Sequence, residues 1–190
     1  MKNLSTNNSY KNTRSKTVTI AAFFAALTCV GTMIIKIPTP TMGYVHPGDG
    51  FVLLSGLLLG PVWGAMAAGI GSALSDLIGG YLVYVPATFI IKFLSAVVVY
   101  FVYKTLSSPT KKGHELPALI ISGIIAEAVM VVGYFVFAVF MLSVVNHTSL
   151  YAGYVAALAG ILPNIIQGVT AVIISSLLHP LLRRLTIPVE

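Results

Sequence analysis

The stretch SDLIGGYLVYVPATFIIKFLSAVVVY, residues 75–100, places an acid, Asp76, and an ammonium, Lys92, in one of the most apolar parts of the chain. A second acid, Glu127, lies within another apolar run. An ionised side chain inside a membrane is costly unless it is paired, hydrated or turned to the interior of a helix bundle. We expect Lys92 to form an internal ion pair with Asp76 or Glu127; direct contact of Lys92 with a solute is the alternative.

The last apolar run carries two amides on one helical face. Small residues and one amide recur there every four positions, and the second amide follows the first by three: Ala152, Ala156, Gly160, Asn164, Gly168 and Gln167. Residues at these spacings share a face, so the amides flank a groove of small side chains. Amides donate and accept, which suits a neutral heteroaromatic ligand, although hydrogen bonds between helices would use them equally well.

The composition indicates an integral membrane protein. Of the 190 residues 57% are hydrophobic and 8% charged, and the mean hydropathy is +0.94, whereas about a quarter of a soluble domain is charged. Nine of the eleven basic residues lie in short polar segments, which is the positive-inside pattern and not a nucleic-acid patch. These cations are Lys2, Lys11, Arg14, Lys16, Lys104, Lys111, Lys112, Arg183 and Arg184.

Four runs are long enough to cross about 30 Å of hydrocarbon: 18–36, 84–103, 116–142 and 154–182. Residues 48–80 form one long span or two short ones broken at Gly60-Pro61. An even number of spans is needed to put the basic tail and the basic 104–112 loop on one side, which favours two. We therefore expect an all-α membrane protein with a disordered cytoplasmic tail (1–17) and a six-helix bundle (18–184), its second segment short and both termini cytoplasmic.

This topology puts three loops on the outer face, at 38–50, around 79–85 and at 142–153. Aromatic and hydrogen-bonding groups gather in them, where a protein that captures an external solute needs them. The predicted solute contacts are Tyr44, His46, Tyr84, Lys92, Glu127, Asn146, Tyr151, Asn164 and Gln167. Asp49 and Asp76 are expected to be framework residues, Asp49 as the cap of the second helix.

Several function classes lack their motifs. The chain has no G-x-x-x-x-G-K-[ST] phosphate loop, no metal-ligand spacing and no nucleophile motif, so we expect no enzyme, no cofactor, no metal and no nucleic-acid partner. A stand-alone secondary carrier or channel, with Asp76, Lys92 and Glu127 as an ion relay, is the alternative to a binding subunit. Inverted repeats would favour it, and none is found.

Three segments carry a family resemblance: GDGFVLLSGLLLGPVWG (48–64), GSALSDLIGGYLVYVPATFIIK (71–92) and ILPNIIQG (161–168). With their GD, SxxxD and PxTFxxK elements they resemble the S-components of energy-coupling factor (ECF) vitamin transporters, in the riboflavin and hydroxymethylpyrimidine branch. The resemblance covers residues 18–182. It implies a six-helix S-component in a bacterial plasma membrane, which binds a vitamin or precursor near the outer face under a lid formed by the first outer loop.

The resemblance also implies partners. An S-component docks on a transmembrane coupling subunit that carries two ABC-type ATPases, so ATP is hydrolysed by other chains. The stretch AAFFAA matches the family's AxxxA docking motif through Ala21, Ala22, Ala25 and Ala26. The predicted contacts include one deep lysine and no second deep basic residue, which suits a small pyrimidine or pyridine, such as hydroxymethylpyrimidine or pyridoxine, better than a polyanion.

Overall fold

The computed structural model describes residues 2–107, 115–145 and 147–183, with side chains from Arg14 onward except that of Val145. The helices are α1 (Lys2–Ile34), α2 (Asp49–Gly79), α3 (Val85–Leu106), α4 (Glu115–Val145), α5 (Leu150–Ala157) and α6 (Ile161–Leu182). One turn of 3-10 helix, Leu158–Gly160, joins α5 to α6. Two short strands, β1 (Ile37–Pro38) and β2 (Tyr44–Val45), pair antiparallel.

Five helical stretches of the described chain are long and apolar enough to cross a membrane: Arg14–Ile34, Asp49–Gly79, Val85–Leu106, Glu115–Val144 and Leu150–Leu182. The predicted all-α membrane class is therefore confirmed. The sequence predicts six segments, and the count differs because residues 49–79 form one helix that is interrupted at a single point. The polar segment 2–17, predicted to be a disordered tail, continues α1 as helix.

The interruption in α2 reverses the chain. Gly60 has φ 81° and ψ −176°, a region of backbone space that is essentially confined to glycine. The Ser55 hydroxyl donates to the Gly64 carbonyl at 2.9 Å, and a Cβ on Gly64 would lie 2.1 Å from the Ser55 carbonyl oxygen. Residues nine apart along a straight helix are separated by about 13 Å. Consequently α2 is a hairpin of two helical arms, residues 49–59 and 61–79.

The arms of α2 form the centre of the bundle. In its most apolar stretch 67% of the residues are buried, against 28–33% in the other four candidate spans. It packs against α1, α3 and α6, and one fully buried cluster joins Leu53 of α2 to Val99 of α3, Ala126 of α4 and Ala171 of α6. The outer helices expose apolar side chains on their other faces, as helices in contact with lipid do.

The bundle has two chemically different ends. At one end the connection between α1 and α2 forms a hairpin loop, residues 37–45, whose Thr41 carbonyl accepts a hydrogen bond from the Tyr84 hydroxyl. We call this the hairpin end. At the opposite end, Arg183 after α6 pairs with Glu115 at the start of α4. The polar residues of interest for function lie toward the hairpin end.

Replacement of Gly60 by Ala should destabilise the chain by about 1–3 kcal/mol, because a side chain is strained in this backbone conformation. Gly80 is the matched control: its φ is also 81°, but its ψ of 9° is left-handed helical and a Cβ there would contact nothing within 4 Å. We expect Gly80→Ala to cost about 1 kcal/mol. Thermal unfolding in detergent measures both, and an equal or smaller loss in Gly60→Ala would contradict the hairpin.

Candidate functional site

A polar cavity lies beneath the hairpin loop, between α2, α3, α4 and α6. Its lining consists of Thr39, Thr41, Gly43, Tyr44, His46, Asp76, Tyr84, Thr88, Tyr134, Phe135, Ala138, Ala157, Gly160, Asn164 and Gln167. The cavity volume is about 30 Å³, counted as the space that the centre of a water molecule can occupy. A space of about 10–15 Å³ by this measure holds one water, so the cavity has room for only a few.

Three hydrogen bonds hold the hairpin loop and the residues just after it over the cavity. Tyr44 donates its hydroxyl to Asp76 Oδ1 at 2.6 Å, and the backbone N–H of His46 donates to Gln167 Oε1 at 2.8 Å. The third is the bond from Tyr84 to the Thr41 carbonyl. Each bond leads to a different element, so the loop is fastened to α2, to the start of α3 and to α6.

A buried ion pair lies below the loop. Lys92 Nζ donates to Asp49 Oδ2 at 2.6 Å, and both residues are 0% exposed. Gln167 Nε2 donates to the same oxygen at 2.6 Å, so the Gln167 amide connects this pair to the loop through His46. Excellent geometry and an additional hydrogen bond are what an ion pair needs to offset the cost of leaving water.

The ion pair corrects two predictions. Lys92 pairs with Asp49 and not with Asp76 or Glu127. The carboxylate of Asp49 also does not cap its helix: the N-cap residue is Gly48, which makes no side-chain cap hydrogen bond. The physical reason is the Gly60 reversal, which brings the start of α2 beside α3, where a carboxylate has a buried ammonium to neutralise.

His46 is buried as a neutral ring. Its Nδ1 accepts a hydrogen bond from the Gly48 N–H at 3.1 Å, which requires that this nitrogen carry no proton. Burial lowers the pKa of His46 to about 3. Burial likewise raises the pKa of Tyr84 to about 12 and raises the pKa of Tyr44, with the carboxylate of Asp76 adding to the rise for Tyr44. Both phenols therefore stay protonated and donate.

The cavity brings together five of the nine predicted contact residues: Tyr44, His46, Tyr84, Asn164 and Gln167. The two amides of α6 do share a face, and both reach the cavity. Gln167 uses its amide for the framework, whereas the Asn164 amide makes no hydrogen bond with the part of the chain that the structure describes. Asp76, predicted to be framework alone, lines the cavity as well.

Four predicted contacts are elsewhere. Lys92 does not line the cavity; its ammonium lies 4.9 Å from the ring centroid of Tyr134, which does. Glu127 lies in a separate apolar groove of about 310 Å³ between α4 and α6. Tyr151 is 77% exposed and does not line the cavity. Asn146 lies outside the described residues.

Sequence reasoning missed several lining residues, above all Thr88, Tyr134 and Phe135. Thr88 precedes Lys92 by four positions, and Tyr134 follows Glu127 by seven, so each shares a helical face with a residue that had been singled out. Tyr134 donates to Thr88 Oγ1 at 3.1 Å, which joins α4 to α3 across the cavity wall. Helical spacing from the charged residues would have found two of the three.

The four alanines of the AAFFAA stretch in α1 lie on two faces of the helix. Ala21 is buried in a core cluster, and a Cβ on Gly71 of α2 would lie 2.3 Å from the Ala25 carbonyl oxygen, so these two alanines permit close packing within the chain. Ala22 and Ala26 are exposed. All four line a groove of about 620 Å³ between α1 and α2.

Five long apolar helices with a polar cavity at one end are the features of a multi-pass membrane protein. The model of the family described as ECF-type riboflavin transporter, S component, matches residues 12–184. An uncharacterised protein of Pyrococcus woesei is 33% identical over 156 residues, which cover 82% of this chain and 93% of that protein.

A solved structure, described as "Structure and mechanism of the S component of a bacterial ECF transporter", shares the fold. Its TM-score is 0.61 at 22% identity, over 90% of this chain and 98% of the solved one. The chain belongs to the ECF-type riboflavin transporter S-component family. It is therefore a vitamin-binding subunit of an ECF transporter, a class that works with a coupling subunit and ATPases and is not a class of enzymes.

Replacement of Lys92 by Met should cost about 3–5 kcal/mol, because it leaves the carboxylate of Asp49 buried without its counter-charge. The double variant Lys92→Met, Asp49→Asn should recover part of that loss, since no unpaired charge remains. Thermal unfolding of the four proteins in a double-mutant cycle gives the coupling. Ligand affinity of the folded Lys92→Met protein should change less than about threefold. Unchanged stability with lost binding would contradict the framework role.

Acid should destabilise the chain through His46. The unfolded ring takes up a proton near pH 6.5 and the folded ring only near pH 3, so its contribution to stability is complete above pH 6.5 and is lost as the pH falls toward 3. The slope for one proton is about 1.4 kcal/mol per pH unit. His46→Asn keeps an acceptor for Gly48 and should flatten the stability profile between pH 6 and 4. If the stability profiles of the native chain and of His46→Asn superimpose, His46 is not buried as a neutral ring.

Proposed function

We propose that this chain captures a small heteroaromatic vitamin or vitamin precursor in the cavity beneath the hairpin loop, from outside the cell, for ATP-driven import. The observation that carries this is the composition of the cavity wall. Aromatic rings of Tyr84, Tyr134 and Phe135 share it with the hydrogen-bonding groups of Asp76 and Asn164. Apolar and aromatic walls with a few convergent polar groups are typical of small-molecule sites.

The cavity is too small for such a ligand unless the hairpin loop moves. Ligand pockets are typically about 300–1,000 Å³, and the loop is the only part of the described lining that is not helical or next to a helix end. Of the three hydrogen bonds that fasten the loop and His46, the two neutral ones contribute roughly 1 kcal/mol each, and the one from Tyr44 to the Asp76 carboxylate contributes about 1.5–3 kcal/mol. Displacement of the loop therefore costs a few kcal/mol, which the binding of a ligand can offset, so the loop can act as the lid that the family resemblance implies.

We assign the hairpin end to the outside. If the two arms of α2 count as two segments, the five candidate spans become six, and four of them lie between the basic N-terminal tail and the basic 104–112 loop. The positive-inside rule then places both termini in the cytoplasm of a bacterial cell and the hairpin loop on the outer face. The arm 49–59 is about 16 Å long and reaches only part of the way across the bilayer.

A hydroxymethylpyrimidine-like or pyridoxine-like ring is the first candidate ligand. Such a ring requires the smallest displacement of the loop, and Asn164 offers it a donor and an acceptor. Riboflavin, which the family description names, has a larger tricyclic ring and is the second candidate. Delivery to the inside would use the coupling subunit and the two ATPases, docked on the exposed alanines Ala22 and Ala26.

The alternative of a stand-alone carrier finds less support in the geometry. Its three proposed relay residues do not form one path: Asp76 faces the cavity, Lys92 is neutralised by Asp49, and Glu127 lies in the groove between α4 and α6. A relay needs adjacent exchangeable sites, and the ion pair removes the central one.

The test begins with the purified chain in detergent. Mass spectrometry of released small molecules and calorimetric titration of hydroxymethylpyrimidine, pyridoxine and riboflavin should identify one stoichiometric ligand. In proteoliposomes, uptake of that ligand should require the coupling subunit and ATPases. Uptake by the chain alone that collapses with the proton gradient would establish the carrier instead.

Ala22→Trp together with Ala26→Trp should leave ligand affinity unchanged and abolish ATP-driven uptake, because the bulky rings occupy the exposed alanine face and nothing inside the chain. Val136→Trp is the control, since Val136 is 60% exposed on α4. It should preserve both binding and uptake. Normal uptake by the double tryptophan variant would contradict docking at the alanines.

A further inference from the structure

The described cavity wall carries negative charge without any positive charge. Of the fifteen described residues that line it, Asp76 is the only acid, and no Lys or Arg is among them. His46 lines the cavity as a neutral ring, as its Nδ1 acceptor bond requires. A ligand in the cavity therefore meets one carboxylate and no opposing cation.

The carboxylate of Asp76 can accept further hydrogen bonds. It is 4% exposed, and Tyr44 donates to its Oδ1 at 2.6 Å. Two carboxylate oxygens offer about four acceptor positions, so a ligand donor can be added without the loss of the Tyr44 bond. Asp76 also lies in the last turn of α2, where the helix dipole adds negative potential.

The two cations nearest to this region are engaged elsewhere. Lys92 is bonded to Asp49 and is 0% exposed. Lys36 lies over the rings of Tyr44 and Tyr81, with its ammonium 4.5 Å and 5.5 Å from their centroids, and it does not line the cavity. Neither ammonium is placed to receive an anionic group of a ligand inside the cavity.

The aromatic wall favours the same class of ligand as the carboxylate. Tyr84, Tyr134 and Phe135 present rings to the cavity from α4 and the start of α3. Ring faces attract planar heterocycles, and they attract them more strongly when the heterocycle carries positive charge. Anions gain nothing from ring faces.

From this arrangement we infer that Asp76 determines specificity: the cavity takes a heteroaromatic ring with an amino group or a protonated ring nitrogen against Asp76, and it excludes phosphorylated and carboxylated forms. The inference rests on the proposed function, because it concerns the same cavity. An aminopyrimidine satisfies it. A ring phosphate does not, because the anion would approach a carboxylate in a low-dielectric space, and no cation among the described residues of the cavity wall is there to bond it.

The test compares ligands that differ at one group. Hydroxymethylpyrimidine with its 4-amino group, the 4-hydroxy analogue and the monophosphate are titrated calorimetrically into the full-length chain in detergent. Pyridoxamine, pyridoxine and pyridoxine 5′-phosphate form a second series. We expect the amino compound to bind roughly 10- to 100-fold more tightly than its hydroxy analogue, the range of a charge-assisted hydrogen bond, and the phosphate to bind more weakly than either.

Two variants assign the preference to the residue. Asp76→Asn should weaken binding of the amino compound at least about tenfold and that of the hydroxy analogue by less than about threefold. Tyr44→Phe removes a donor to the carboxylate but keeps its charge, so it should retain the amino preference. If Asp76→Asn does not fold, the ligand series on the native chain and on Tyr44→Phe still decides.

The outcomes separate this inference from the proposed function. Equal affinity for the amino and hydroxy compounds, tighter binding of a phosphate, or tight binding of riboflavin and of neither series overturns the inference and leaves the proposed function standing. Binding of no vitamin-like compound at all overturns the proposed function, and the inference with it.

Discussion

An ionised side chain that is shut off from water inside a membrane protein is costly without a counter-charge, and the pair formed by Asp49 and Lys92 is how this chain meets that constraint at its centre. The pair joins the first arm of α2 to α3, and Gln167 adds α6 to the same oxygen. Three helices are thereby held in one register at one point. The position of the hairpin loop depends on this contact as well, because the His46 N–H donates to the oxygen of the same Gln167 amide.

The arrangement separates two tasks that one polar cluster could have combined. The charges that hold the helices together neutralise each other below the cavity, and the groups that remain available above them are hydroxyls, one amide and one carboxylate. Recognition can therefore change, through substitutions such as those at Asn164 or Thr88, without loss of the interactions that determine helix packing. Such independence allows the site to change while the fold is kept.

Much of the site was accessible from the sequence, and the remainder depended on a contact over long range. Hydropathy defined the apolar helices, and the three-residue spacing of Asn164 and Gln167 correctly put both amides on one face, because helical periodicity is local. The predicted partner of Lys92 was wrong because the actual partner, Asp49, is 43 positions away and reaches Lys92 only through the reversal at Gly60. Periodicity identifies the face of a residue but not the helix opposite it, which is also why Tyr134 was missed.

The distance along the chain between the members of the buried cluster has a consequence for biogenesis. The first arm of α2 is too short to insert by itself, and its acid, Asp49, meets its first partner 43 residues later and its second 118 residues later. Before Lys92 has been synthesised, an ionised Asp49 has no counter-charge and is more stable in water at the membrane surface than in the bilayer. We therefore expect the arm to settle into the bilayer only after α3 has been made, and its contact with α6 to form later still.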